Sequence, residues 1–378
     1  MPELFKRRDA LMSQELYMKM CSAERLDVAY QKTMSGQKKY RKDAILFNYL
    51  KEMNMEELTK ELKCKMYQPG GFGTLVVHEP KERVIHYPKL RDKIVQCASH
   101  EILGEIYAPV FVRDSYSNQK GKGTHDAVIR IQHNMRYVKW RYGDAWIIKL
   151  DIRKFYYQID REVAKELLKK QIPEEESDFL EFLCMIIDSS PEENGVGLPL
   201  GNVSSQDIAN VVGNEIDQYA IRFLHLKWYT RFADDIIIIV PSKEEAKEAL
   251  VKLREFIEVR LHLELNEKTK IYPCKQGVKA LGYHIYTTHI LLQDETIKHM
   301  RSRMAKIDEE VKAGRKSIKK AQQEVDAWLG HARIANAYHA CEKIFMPYPY
   351  IKFDRDDWKF GQLSPKKRKQ LKVKEGEI

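Results

Sequence analysis

This sequence lacks paired cysteines, long apolar runs and low-complexity linkers. Its six cysteines are scattered and form no C-x-x-C pair, which argues against a zinc site and a disulfide framework, so we expect free thiols. The longest apolar stretches reach about half the length that a bilayer span needs. The N-terminal sequence MPELFKRRDALM has no apolar signal-peptide core. We therefore expect a cytoplasmic protein without a membrane segment.

Acidic residues are the minority among the charges. The chain has 65 Lys and Arg against 55 Asp and Glu, a formal net charge of +10. This excess permits an anionic partner, of which nucleic acid is the commonest, but does not prove one. Hydrophobic residues make up 43% of the chain, which is enough for a sizeable core and excludes general disorder.

The order of helix and strand patterns predicts a mixed, α+β chain. Residues 1–70 have a helical and basic pattern, and TLVVHEP and ERVIHYP form a predicted hairpin. Residues 114–124 form a polar, glycine-bearing loop before a basic helix. The apolar strand AWIIKLDI, a central helical region, the strand–turn–strand KWYTRFADDIIIIV and two further strand candidates follow. Helices are predicted again from about residue 297 to residue 344.

The sharpest motif is the acid pair Asp234-Asp235 beside four consecutive isoleucines. Two adjacent carboxylates next to an apolar run are costly unless something offsets their desolvation. At the tip of a hairpin they can converge on a divalent cation. The alternative is an ordinary Asp-Asp turn between strands.

A second apolar strand also ends in an acid, Asp151. One acid at a strand end and an acid pair on a neighbouring hairpin form the layout for two-metal phosphoryl transfer, in which shared carboxylates hold two Mg²⁺ ions about 4 Å apart. Asp151 can equally be a helix N-cap, and both interpretations can hold together.

Several motifs occur in the order of the conserved blocks of reverse transcriptases. These are HEPKERVIHYPKLRDKIVQ, DSYSNQKGKGTHDAV, KLDIRKFYYQID, GLPLGNVSSQDIAN, YTRFADDIIII, LNEKTKIY and ALGYHIY. The chain resembles that family over about residues 75–285. The resemblance implies a right-hand polymerase fold with β-hairpin fingers, an antiparallel palm sheet with helices, and a helical thumb.

This resemblance divides the chain into five predicted regions. They are an N-terminal helical segment (1–70), fingers (71–145), a catalytic palm (146–290), a helical thumb (291–350) and a basic C-terminal tail (351–378). It also implies RNA-directed DNA synthesis from dNTPs on a template RNA, with an RNA/DNA hybrid in the cleft. No RNase H or endonuclease block fits in the remaining length, so we expect the template RNA either to be retained or to be removed by a host enzyme.

The resemblance assigns the metal site to Asp151, Asp234 and Asp235, holding two Mg²⁺ ions, with Mn²⁺ as an alternative. One ion would lower the pKa of the primer 3′-hydroxyl and the other would hold the incoming triphosphate.

Other residues receive nucleotide or template roles from the same resemblance. Tyr156 would exclude a 2′-hydroxyl, although Phe155 and Tyr156 can also be core residues. Phe232 stands near the primer end where most relatives carry Tyr, and either Lys268 or Lys270 would protonate the leaving pyrophosphate. The full nucleotide-binding set is Lys81, Arg83, Tyr156, Gln206 and Lys268. The template- and primer-binding set is Lys120, Lys122, Leu200, Gly201 and Phe232.

The subclass is indicated by the loop that begins with Leu200. Most similar reverse transcriptases carry Gln-Gly at its start and Ser-Pro at its end, whereas this chain has Leu-Gly and Ser-Gln. This variant, with the segment SIKKAQQEVDAWLGHARIANAY, is similar to the prokaryotic diversity-generating retroelement class, whose enzymes copy RNA with frequent errors at adenines. The alternative for the second segment is simply an apolar helix face.

Three hypotheses follow. The first is an error-prone reverse transcriptase of a diversity-generating retroelement, working with a small basic accessory protein. The second is an antiphage-defence reverse transcriptase bound to its own noncoding RNA. The third is an RNA-binding protein with a vestigial palm, which the intact acids argue against.

Overall fold

The computed structural model describes residues 16–77, 82–192 and 194–353. Its helices are α1 (Leu16–Met20), α2 (Ala23–Thr33), α3 (Lys42–Tyr49), α4 (Lys51–Lys63), α5 (Leu90–Tyr107), α6 (Thr124–Tyr142), α7 (Phe155–Gln158), α8 (Arg161–Gln171), α9 (Ser177–Asp188), α10 (Val203–Gln218), α11 (Lys243–Leu261), α12 (Asp294–Lys312), α13 (Ile318–Ala332) and α14 (Tyr338–Phe345). Its strands are β1 (Phe72–Val77), β2 (Arg83–Pro88), β3 (Trp146–Asp151), β4 (Trp228–Phe232), β5 (Asp235–Val240), β6 (Lys270–Pro273), β7 (Val278–Ala280), β8 (Tyr283–Ile285) and β9 (Ile290–Leu292).

The central sheet, called the palm sheet here, is antiparallel and has the order β4-β5-β3-β6. Its middle strand β5 contains the isoleucine run, and these side chains alternate between two cores because successive residues of a strand point to opposite faces. Ile236 and Ile238 join a core with α5, α8, α9, α10 and α11. Ile237 and Ile239 join a second core with α6 and α12–α14. A strand buried on both faces explains why the run is uniformly apolar.

Two smaller sheets lie on either side of the palm sheet along the chain. The predicted hairpin is present as β1–β2, called the fingers hairpin here, and it pairs Phe72 with Pro88 and Val77 with Arg83. The second sheet has the order β7-β8-β9 and joins the core of α12–α14. The sequence predicts strands in VKALGYHIY but not the third strand, β9.

Helices α10 and α11, which pack against the palm sheet, both begin with a side-chain N-cap. The Ser242 hydroxyl accepts a hydrogen bond from the Glu245 amide at the start of α11. Asn202 caps α10 in the same way through the Ser204 amide. Such caps satisfy amides that have no partner within the helix, and typically stabilise it by about 1 kcal/mol.

The α+β prediction, with an antiparallel sheet flanked by helices, is confirmed. The predicted N-terminal helical segment is helical from Leu16 to Lys63, with short interruptions. The basic tail lies outside the described residues from 354 onward, and the region boundaries stay predictions. In the described part of the chain, no helix combines the length and apolarity that a bilayer crossing requires.

Candidate active site

Two of the predicted metal ligands face each other across the palm sheet. Asp151 is the last residue of β3 and Asp235 is the first residue of β5, and the two form a directly opposed pair. Opposed residues of antiparallel strands point to the same face, with Cβ atoms about 5 Å apart. Their carboxylates therefore lie side by side at one end of the sheet, and both side chains are half-buried.

Asp234 lies in the tight turn that joins β4 to β5. Phe232 pairs with Asp235, so Ala233 and Asp234 form a two-residue turn. Ala233 has φ of 54°, a left-handed conformation that costs a non-glycine residue about 1 kcal/mol or more. The turn holds the third acid directly beside the opposed pair, at the cost of local strain.

Lys149 supplies a positive charge next to these acids. It lies two residues before Asp151 in β3, and therefore on the same face. Its Nζ is 3.5 Å from Asp235 Oδ1 and donates to the Lys279 carbonyl at 2.8 Å. Lys270 is directly opposite Lys149 on β6. The ammonium groups of Lys149 and Lys270 therefore lie next to the carboxylates, on the same face of the sheet.

The donor set fits a hard divalent cation. Carboxylate oxygens are the ligands that Mg²⁺ prefers, and two opposed acids with a third on the adjoining turn supply them. Within residues 16–77, 82–192 and 194–353, no three His, Cys, Asp or Glu side chains already converge as a metal cluster. The site is thus an opposed pair with a neighbouring acid, and its metal stays a proposal.

Tyr156 lies close to the acids. Burial, followed by the negative charge of Asp234, raises the pKa of the Tyr156 phenol, while a hydrogen bond from the Asn118 side chain opposes this shift. Phe155 is buried and contacts Tyr156 edge-on, with ring centroids 5.8 Å apart. Phe155 is therefore a core residue, whereas Tyr156 packs against the same core and is also influenced by the charge of Asp234, and its gate role stays a prediction.

The loop that contains Leu200 and Gly201 lies between Tyr156 and the fingers hairpin. The Leu198 amide donates to the Tyr156 carbonyl at 2.8 Å. Gly201 has φ of +93°, and a Cβ there would lie 2.6 Å from Cγ2 of Ile85 in β2. Only glycine combines this conformation with so close an approach. Leu200 is half-buried, and Gln206 is exposed in the first turn of α10.

The remaining predicted residues have different surroundings. Lys81 lies outside the described residues, and Arg83 opens β2, where its backbone pairs with Val77. Lys120 and Lys268 are exposed, and Phe232 is half-buried opposite Asp235. These assignments stay predictions.

Lys122 performs a structural task that the sequence does not reveal. Its Nζ donates to the carbonyls of Val112, Arg113 and Ser115, at 3.3, 2.8 and 2.9 Å. These bonds close the loop that also carries Asn118. The predicted template contact of Lys122 stays a prediction, but its ammonium group is already engaged by the protein.

A buried ion pair below the turn was not predicted. Arg231 and Asp217 are both almost fully buried, and the guanidinium donates to the two Asp217 oxygens at 2.7 and 2.8 Å. Burial opposes the charge of Arg231, but Asp217 outweighs it and raises the pKa of the guanidinium. Arg231 also donates to the Ala233 carbonyl at 3.4 Å, which connects this pair to the strained turn.

A glycine makes room for this guanidinium. A Cβ on Gly213 of α10 would lie 2.5 Å from Nη1 of Arg231. The available sequence signals were one arginine inside the strand WYTRF and two acids, Glu215 and Asp217, in the last turn of α10. Neither signal identifies its partner.

Comparisons with known proteins assign the chain to a family. The family described as "Reverse transcriptase (RNA-dependent DNA polymerase)" matches residues 77–285. Protein YkfC of Escherichia coli (strain K12) is 26% identical over 280 residues, covering 62% of this chain and 71% of that protein. Group II intron-encoded protein LtrA of Lactococcus lactis subsp. cremoris is 24% identical over 308 residues, covering 62% of this chain and 50% of that protein.

Solved structures show a weaker likeness. Apo telomerase from Candida tropicalis aligns with a TM-score of 0.47 and 13% identity, covering 82% of this chain and 65% of that one. This chain spans about half of LtrA and about two thirds of YkfC and that telomerase. The family match covers more than half of the chain and includes Asp151, Asp234 and Asp235. The chain therefore belongs to the reverse transcriptase family, the RNA-dependent DNA polymerases.

Proposed function

We propose that this chain copies a template RNA into DNA by two-metal nucleotidyl transfer at Asp151, Asp234 and Asp235. The observation that carries the proposal is the direct pairing of Asp151 with Asp235 beside the strained turn of Asp234. A vestigial palm has no need to keep two facing carboxylates half-exposed, because like charges directly opposite each other destabilise a sheet.

Each group around the acids has a task in this mechanism. When bound, two Mg²⁺ ions would supply the positive charge that activates the primer hydroxyl and neutralises the triphosphate. The three carboxylates would hold those ions at the end of the palm sheet. Lys149 balances the charge of Asp235, which it approaches to 3.5 Å. Lys270 shares that face with Lys149 and is better placed there than Lys268 to give a proton to the leaving pyrophosphate.

Primer extension tests the proposed activity directly. The full chain is given an RNA template with an annealed DNA primer, Mg²⁺ and either dNTPs or rNTPs. We expect DNA extension on RNA that stops when EDTA is added. Extension only on a DNA template, or no difference between the Asp235→Asn variant and the wild type, would contradict the proposal.

Two biological roles remain proposals beyond the polymerase family. Leu200-Gly201 in place of Gln-Gly favours the error-prone enzyme of a diversity-generating retroelement with a small basic accessory protein. The second candidate is a defence enzyme that works with its own noncoding RNA in a prokaryotic cytoplasm. The α13 segment does not decide between them, since Ala321, Val325, Leu329 and Ala332 are buried at helical spacing.

Replacing Tyr156 tests sugar selection. Tyr156→Val should raise ribonucleotide incorporation by about tenfold or more, because the ring that excludes a 2′-hydroxyl is lost and a steric clash is worth at least about 1–2 kcal/mol. The measurement is the ratio of kcat/KM for dNTP and rNTP in single-nucleotide extension.

Tyr156→Phe keeps the ring and should keep the ratio. The neighbouring Tyr157, whose hydroxyl donates to the Val84 carbonyl in the fingers hairpin, provides Tyr157→Val as a second control. An unchanged ratio in Tyr156→Val would remove the gate assignment.

Leu200 tests fidelity and separates the two roles. An apolar side chain cannot hydrogen-bond to template or nucleotide, so we expect frequent misincorporation, mainly opposite adenine. Leu200→Gln should lower that error frequency about five- to tenfold, the effect of one hydrogen bond worth about 1 kcal/mol. The measurement is sequencing of cDNA made by both proteins on one RNA.

Leu200→Met is the matched control, because it changes the shape without adding a hydrogen-bonding group, and it should keep the wild-type error spectrum. Low errors that do not depend on the template base in the wild type would contradict the diversity-generating role. They would leave the defence role as the better candidate.

A further inference from the structure

The far end of the palm sheet carries an aromatic surface that the polymerase site does not use. Trp140 is 78% exposed, Tyr142 50% and Tyr137 41%. Tyr137 and Tyr142 lie 6.0 and 5.5 Å from the ring of Trp228, measured between centroids. Large exposed aromatic clusters are uncommon on soluble proteins and mark interaction sites.

Arg141 brings a positive charge to this surface. It is exposed and lies 5.7 Å from the centre of the Tyr142 ring, and Tyr137 lies 6.0 Å from the Trp140 ring. Residues 127–143 and 218–233, the two segments that supply the surface, contain no Asp or Glu, and the exposed Asp144 that follows accepts a hydrogen bond from the Trp146 indole. We call Tyr137, Trp140, Arg141, Tyr142 and Trp228 the palm-base patch.

The patch is separate from the catalytic acids. Trp228 begins β4 and pairs with Ile239, four residues along β5 from Asp235. At about 3.3 Å per residue this separation is roughly 13 Å along the strand. The acids lie at the opposite end of the same sheet, so the patch does not contact the reacting groups.

Helix stability accounts for only part of this composition. Lys and Arg in the last turn of a helix interact favourably with its dipole, and α6 ends at Tyr142 before Gly143. That explains Lys139 and Arg141. It does not explain a largely exposed tryptophan between them, since an exposed indole contributes little to a helix.

We propose that the palm-base patch binds single-stranded nucleic acid, with bases stacked on Trp140 and Tyr142 and a phosphate held by Arg141. A row of exposed aromatic rings beside a guanidinium suits this ligand, because every base has a flat face and every linkage a negative charge. An acidic protein would use the charges but not the stacking. The strand can be a distal part of the template RNA or the displaced DNA product. The proposal does not depend on catalysis at the acids.

Binding to an enzyme whose cleft is already filled tests the patch. The full chain is saturated with a short RNA/DNA hybrid, and a labelled oligouridylate of about 15 nucleotides is added and followed by fluorescence anisotropy. Trp140→Ala and Tyr142→Ser should each weaken binding about five- to hundredfold, the effect of one stacked base. Arg141→Gln should lower the slope of log Kd against log salt by about one. An equal-length oligothymidylate shows whether the strand is RNA or DNA.

Matched variants outside the patch make the test selective. Tyr49 in α3 is 86% exposed, so Tyr49→Ala removes an equally exposed ring and should bind like the wild type. Lys169→Gln removes an exposed lysine in the last turn of α8 and should also bind like the wild type. All patch variants should extend a short primed template normally, which keeps this result distinct from failure of the polymerase proposal.

Three outcomes would overturn the patch assignment. The first is wild-type binding by Trp140→Ala and Tyr142→Ser. The second is an equal loss in Tyr49→Ala. The third is displacement of the oligouridylate by a polyglutamate peptide with no effect of the aromatic substitutions, which would make an acidic protein the ligand.

Discussion

Asp235→Asn is expected to reduce nucleotide addition at least about a thousandfold while leaving hybrid binding nearly unchanged. The ions that the carboxylate would hold supply several kcal/mol of transition-state stabilisation, and each 1.4 kcal/mol changes the rate tenfold. Binding rests on phosphate contacts elsewhere in the cleft. Asp151→Asn and Asp234→Asn should behave alike. The measurement is single-turnover extension together with hybrid affinity.

Thermal unfolding separates a metal-binding role from a structural one. Without metal, Asp235→Asn should change the free energy of unfolding by less than about 1 kcal/mol, because it relieves the repulsion of the opposed Asp151 but also gives up the ion pair with Lys149. Adding Mg²⁺ should raise the melting temperature of the wild type but not that of the variant, since only a bound ligand stabilises the folded state.

Asp326→Asn on the exposed face of α13 is the control and should match the wild type in every assay. Near wild-type extension by Asp235→Asn would remove Asp235 from the catalytic site. A loss of several kcal/mol without metal, more than the ion pair with Lys149 can supply, would instead make its role structural.

The strands that carry the acids were predictable because their signals are local. An apolar strand ending in Asp151, and a second hairpin whose turn contains an acid pair, are visible in a few residues each. What the pattern could not give is the register. Asp151 pairs with Asp235 only because the whole of β3 aligns with β5, from Trp146 opposite Val240 onward. Register is set by burial on both faces of the sheet, which is a property of the folded chain.

Residues that act through distant partners were missed for the same reason. Lys122 is a predicted template contact because lysines beside glycines suit phosphate, and that role stays a prediction, but the sequence did not show that its Nζ closes a loop through three backbone carbonyls. Lys149 received no role from the sequence, although alternation along β3 puts it on the face of Asp151. The palm-base patch combines α6 with the start of β4, which are far apart in sequence. No local window contains both.

Substitutions in the buried pair Arg231–Asp217 should have effects as large as substitutions of the proposed catalytic acids. The effect here is on the stability of the fold. Asp217→Asn should lower the free energy of unfolding by about 3–5 kcal/mol, because it leaves the Arg231 guanidinium buried without a counter-ion. The Tyr229 hydroxyl, which donates to Asp217 Oδ1 at 2.6 Å, also loses its charged acceptor. The measurement is the urea midpoint at constant slope.

Removing both charges together is the decisive comparison. The double variant Arg231→Met, Asp217→Leu replaces the pair with apolar side chains of similar size, and this should recover much of the stability that either single substitution loses. Its extension activity should still be reduced, because the hydrogen bond from Arg231 to the Ala233 carbonyl supports the turn that carries Asp234.

The surface pair Lys252–Glu248 on α11 supplies the control, and Lys252→Met should unfold at the wild-type urea concentration. If Asp217→Asn unfolds like the wild type, the pair does not stabilise the fold. If the double variant is stable and fully active, Arg231 has no part in holding the turn.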